Sequence, residues 1–205
     1  MKSCARLLAL GGVVGPVAFV GAWTLAGDRT TGYSFVNNAI SELAAVDAAT
    51  RGLMTTGFIV DGFGLVAFGL ALREVLDGRA WIAAVVTGAA TMGVAAAPLG
   101  GWAGDNTHAA FAGLGYASIA VLPLLVAPQL ARGVKIGWAR ASVGVGVLSA
   151  AALVASTIGP AHGAWQRLGL TVGDAWIVSA ASVIALGGLK SPLVDRGAKR
   201  KRARQ

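Results

Sequence analysis

The chain has 205 residues, 56% of them hydrophobic and 13% charged, about half the charge density that a soluble domain needs for its surface. A lipid-facing surface needs none. At about 20 apolar residues per helical crossing, the length suits six spans with short connections and leaves no room for a separate soluble domain. The net charge of +8 does not point to nucleic acid, because Arg196, Lys199, Arg200, Lys201, Arg202 and Arg204 crowd into the last ten residues, after the final apolar run. Beside a membrane helix, such a tail reads as a topology signal and a contact for anionic lipid. The single cysteine, Cys4, excludes an intrachain disulfide and any multi-cysteine metal site.

The apolar runs fall near 6–26, 52–72, 80–100, 108–128, 141–161 and 171–189. The first is longer than the apolar core of a signal peptide and no small-x-small cleavage site follows it, so it reads as a helix that stays in the membrane. The fold class expected is therefore all-α: an integral membrane bundle of six transmembrane helices over 1–190, followed by a basic cytoplasmic tail over 191–205. Glycines, 30 in all, are scattered through the spans, where small residues let membrane helices approach closely.

Between the first two spans lies the longest connection. Within it, over 34–46, Val36, Ala39, Ile40 and Leu43 recur at helical spacing, with Ser34, Asn37, Asn38, Ser41 and Glu42 on the opposite face. The pattern predicts a short amphipathic helix at the membrane surface. No lysine or arginine stands on its polar face, so that face is expected to point at protein or at a site rather than at lipid headgroups.

Lysine and arginine placement orients the bundle. Of the 17 such residues, Arg29, Arg51 and Arg167 fall on one side and the other fourteen on the side of the termini. The expected location is the inner (plasma) membrane with both termini cytoplasmic, and the high content of Ala, Gly, Val and Arg fits a GC-rich bacterial genome. Trp23, Trp102, Trp165 and Trp176 are expected at the outer headgroup level, with Trp81 and Trp138 at the inner one.

On this topology the unusual polar residues gather on the outer side. Asp105 and His108 open the fourth span in GDNTH, three residues apart and so on one helical face. His162 ends the fifth span in GPAHGAWQR, followed by Gln166 and Arg167, and Asp174 enters the sixth. With Glu42, these residues are candidates for one outward-facing pocket. Asp105, His108 and His162 are also candidate ligands for zinc or a similar ion that activates water. Haem held by His108 and His162 is a further option. The plainer structural alternative is that Arg167 pairs with Asp174 or Glu42 while the histidines cap helix ends or bond backbone.

Asp61 stands apart, well inside the second span, where an ionisable group is a functional candidate by default. Thr91, Tyr116, Ser118 and Ser179 are expected at similar depth. The alternative is a protonated side chain bonding one helix to another. Several chemistries are excluded: no span holds a lysine for a retinal Schiff base, and no GxxxxGK[ST], HExxH or GxSxG motif occurs.

The stretch YSFVNNAISELAAVDAATRGLMTTGFIVDGFGLVAFGLALR, with the segments HAAFAGLGY and GPAHGAWQRLGL, resembles the bacterial and archaeal membrane proteins grouped as domain of unknown function 998. The resemblance covers nearly the whole chain and implies a compact bundle of about six spans. It implies no activity, and Asp61 maps onto no motif of the family.

Three functions are thus carried forward. The first is a pocket binding a lipid headgroup or small molecule, lined by Glu42, Asp105, His108, His162, Arg167 and Asp174, with Arg167 as the anion contact. The second is a metal-dependent hydrolase of outer-leaflet lipid, with Glu42 or Asp174 as general base. The third is a non-catalytic subunit whose helices dock on another membrane protein or on a copy of itself.

Overall fold

In a computed structural model, the residues described are 2–132 and 136–188. The basic tail 191–205, with Lys135 and Lys190, lies outside them, as does the boundary placed at 190. Among the described residues the chain is helical, without strands: α1 (Lys2–Ala9), α2 (Gly11–Asp28), a 3-10 helix (Ile40–Ala44), α3 (Arg51–Val75), α4 (Ala80–Ala96), α5 (Asp105–Arg132), α6 (Ile136–Ile158) and α7 (His162–Ala185). Leu10 separates α1 from α2 by one turn residue, and the two share a single apolar run, Ser3–Asp28. With α3, α5, α6 and α7, this makes five runs long and apolar enough to cross a membrane. α4, at 17 residues, spans about 25 Å and is the sixth. The chain is a helical membrane bundle.

Each helix packs on the next in sequence, and α7 returns to lie against α1 and α2, closing the bundle; α5 also touches α7. One of the close crossings is between α2 and α3. A Cβ on Gly64 would stand 2.5 Å from the Gly11 carbonyl oxygen and 2.9 Å from Gly15 Cα, so only glycine lets the two backbones come this close. Val14, Val17, Phe63, Leu125, Val147 and Val154 face outward, as lipid-exposed side chains do.

Two apolar cores fill the interior. One, around Phe19, Ile40, Leu43, Met54 and Phe58, lies toward the end of the bundle that carries the α2–α3 connection, here termed the loop end. The other, around Leu65, Phe68, Leu122, Ile177 and Ile184, fills the remainder.

Three expectations are corrected. The surface helix over 34–46 is replaced by turns followed by the 3-10 helix, because its polar side chains bond the local backbone instead of lining a helical face. The last helix begins at His162, nine residues before the apolar run does, so Gln166 and Arg167 lie within it and not in a connecting loop. Trp176, expected at a headgroup level, is 6% exposed in the interior of α7, where its indole N–H donates to Ser142 Oγ at 2.9 Å.

Candidate functional site

Depth along the helices brings the site together. Asp61 follows Arg51, the first residue of α3, by ten positions, about 15 Å of rise; Asp174 follows His162 by twelve, about 18 Å. Both helices start at the loop end, so the two carboxyls reach similar depth. Each is 4% exposed.

Both line a cavity of about 60 Å³, measured for the centre of a water-sized sphere, which is room for a few waters or one small molecule. Phe19 of α2, Ile40 and Ser41 of the 3-10 helix, and Phe58 and Leu65 of α3 form one side. Thr87, Thr91 and Val94 of α4, His108, Phe111 and Tyr116 of α5, and Gln166 and Leu170 of α7 form the other. Asp61 Oδ1 and Asp174 Oδ2 are buried without a hydrogen-bond partner. Thr91 and Tyr116 stand at the cavity as depth implied. Ser118 instead meets Thr87 Oγ1 at 2.9 Å, and Ser179 bonds the Ala175 carbonyl on an exposed face.

The outer-side candidates do not share one pocket. His108 and Asp174 line the cavity; Glu42, Asp105, His162 and Arg167 do not. His108 is held from behind: its Nδ1 lies 2.7 Å from the Ala97 carbonyl, which can only accept, so the neutral ring carries its proton there and Nε2 is the acceptor. Asp105 accepts from the Gly100 N–H at 2.8 Å in an exposed turn, and His162 is exposed at the start of α7. Among the described residues no three His, Cys, Asp or Glu side chains are grouped so as to hold a metal ion. The set Asp105, His108 and His162 is therefore not assembled, because one member is buried and the other two face outward.

Arg167 pairs with neither Asp174 nor Glu42. Its Nη1 donates to the carbonyls of Phe35, Asn38 and Gly163, each at 2.9 Å, and its Nη2 to the Tyr33 hydroxyl. The guanidinium lies 5.2–5.4 Å from the ring centres of Trp23, Tyr33 and Phe35, within cation–π range. Both terminal nitrogens thus clasp the α2–α3 connection to α7 and are not free for an incoming anion. Burial pushes the Tyr33 phenol above its ordinary value, with the Arg167 charge pulling the other way. Glu42 works in the same segment, accepting from the Ala39 N–H and the Asn38 amide, both at 2.7 Å.

Gln166, noted in the sequence only as a neighbour of His162, joins clasp to cavity. Its Oε1 accepts from the Ile40 N–H at 2.8 Å, and its Nε2 donates to the Tyr116 hydroxyl. One amide thus ties the 3-10 helix, which roofs the cavity, to α5 and α7. Its only signal in the sequence was a polar side chain next to Arg167, just ahead of the last apolar run.

Apolar outer faces on five helices long enough to cross a membrane and a sixth, shorter apolar one define a multi-pass helical membrane protein. The family model described as "Protein of unknown function (DUF998)" matches residues 13–183, and the chain belongs to that family. The match runs from α2 into α7 and includes every residue that lines the cavity. No curated protein and no solved structure matches the chain.

Proposed function

We propose that this protein binds a small polar molecule in the cavity between α3, α5 and α7, beneath the roof formed by the 3-10 helix. The observation that carries this reading is the pair of unpartnered buried oxygens, Asp61 Oδ1 and Asp174 Oδ2, on two residues that line the same cavity. Each such atom costs about 1–3 kcal/mol when left unpaired. A purely scaffolding subunit has no use for two of them.

The lipid-headgroup form of the reading has less support, since Arg167 is committed to the clasp and no lysine or arginine among the described residues lines the cavity. A metal-assisted hydrolase has less again, its three ligands being dispersed. Since the loop end carries three of the 17 lysines and arginines, it is taken as the outer face of an inner (plasma) membrane, with both termini cytoplasmic. A reporter fused after Gln205 then reads as cytoplasmic, and a reading from the far side would reverse the orientation.

Gly115→Leu tests the cavity. A Cβ at 115 meets only Ala90 Cβ, 3.7 Å away, so the variant starts without a clash and extends its side chain into the space. The assay is thermal unfolding of the detergent-solubilised protein with panels of small amines, alcohols, sugars and carboxylates. A ligand present at about a hundred times its Kd adds about 2.7 kcal/mol of stability to the wild type. None is expected for the variant, and stabilisation that survived Gly115→Leu would place the ligand elsewhere and refute the reading.

A further inference from the structure

The charge and hydrogen-bonding character of the cavity wall narrow the ligand class. Among the described residues the wall holds two carboxyls and no lysine or arginine, so an anion entering it meets no counter-charge there. Its polar groups include the unpartnered carboxyl oxygens of Asp61 and Asp174 and, with Nδ1 engaged by Ala97, His108 Nε2 as acceptors, beside the hydroxyls of Ser41 and Tyr116. Phe19, Phe58 and Phe111 set three aromatic rings into the wall, and such rings attract an organic cation. No grouping of three metal-ligating side chains is present among the described residues.

Resting on the small-molecule reading above, we infer that the ligand is a small organic ammonium ion, bound between Asp61 and Asp174 in exchange for a proton. Two ionised carboxyls on one small cavity without a cation repel each other, so in this exchange one of them holds a proton until the ligand arrives. When the ammonium enters, the O–H bond of that carboxyl breaks. The electron pair stays on the carboxylate, which accepts an N–H from the ligand, and the proton leaves to water. One positive charge enters as one departs, so the charge of the buried site is unchanged. The other titratable groups facing the pair are His108 and Tyr116, both on α5; α2, α4 and the 3-10 helix contribute none.

The test is calorimetric titration of the intact, detergent-solubilised protein with methylammonium, propylammonium and tetramethylammonium, using 1-propanol, propionate and sodium as controls. Two buffers of different ionisation enthalpy report proton release, and two pH values one unit apart report linkage. The expected result is that an ammonium binds, releases one proton, and gains affinity by about tenfold per pH unit while the site is protonated. Asp61→Asn and Asp174→Asn keep the side-chain shape, and each is expected to weaken binding by about tenfold to a hundredfold through loss of a charge-assisted contact. Proton release is read on the wild type, so the inference stays testable should an Asn variant misfold.

Cation binding without proton release overturns the exchange, and sodium binding as tightly as the amines overturns the ammonium assignment. Propanol or propionate binding at least as well as propylammonium, and lost in Gly115→Leu, overturns the cation class while leaving the small-molecule reading intact. If no solute of any charge binds, both readings fall.

Discussion

Replacing Arg167 with methionine probes what holds the α2–α3 connection over the bundle. Methionine keeps the apolar stem but removes the donors that Nη1 supplies to the Phe35 and Asn38 carbonyls at 2.9 Å and that Nη2 supplies to the Tyr33 hydroxyl. It also removes the cation from among the Trp23, Tyr33 and Phe35 rings. Each of these partly buried carbonyls left without its donor costs at most about 1–3 kcal/mol. Asn38 keeps a weak contact from the Tyr33 hydroxyl at 3.4 Å, which lowers its share. The lost cation–π contacts contribute about 0.5–2 kcal/mol.

A total of about 3–5 kcal/mol raises the opening equilibrium of residues 33–44 by about two to four orders of magnitude. The opening stays local, because the Ala164 N–H still donates to the Val36 carbonyl at 3.0 Å and Gln166 still holds Ile40. Hydrogen–deuterium exchange, read on peptides covering 33–44 with α4 and α6 as internal references, measures this directly. Exchange in 33–44 that rose by less than about threefold, or that rose equally in α6, would refute the assignment of Arg167 as the clasp. Arg167→Lys is expected to behave much like methionine, because a single ammonium cannot reproduce the planar fork.

Gly64→Leu is expected to force α2 and α3 apart, since its Cβ meets the Gly11 carbonyl oxygen at 2.5 Å, at a cost of about 1–3 kcal/mol or more in detergent unfolding. Gly113→Ala, with nothing within 4 Å of its Cβ, serves as the neutral control. The clasp also has a pH dependence. Burial holds the folded Tyr33 phenol above its ordinary value of about 10, so the docking that depends on the neutral phenol is complete below that value and is lost as pH rises through the folded one. The same exchange measurement across alkaline pH checks this, and loosening already at neutral pH would contradict it.

Hydropathy is a property of each segment by itself, and so the helical class, the six crossings and the depth of Asp61 were all readable along the chain. The same holds for the family resemblance, carried by contiguous stretches that the family match then covered. The onset of α7 was not readable. Its first turns hold His162, Gln166 and Arg167, which look like loop residues until the carbonyls of Phe35 and Asn38, far away in sequence, are seen to satisfy the arginine. Placing that helix nine residues too late also put Asp174 at a membrane surface instead of beside Asp61, which concealed the pair.

Sequence alone therefore determined which segments enter the membrane, because burial in lipid demands an unbroken apolar run and nothing from elsewhere in the chain. Only the tertiary structure decided which polar residues meet. Rotation of each helix about its axis is set by side-chain packing against its neighbours, as at Gly64 against Gly11 and Gly15. That rotation turns Asp61 and Asp174 into a shared cavity, His108 in beside them, and Asp105 and His162 out to the surface.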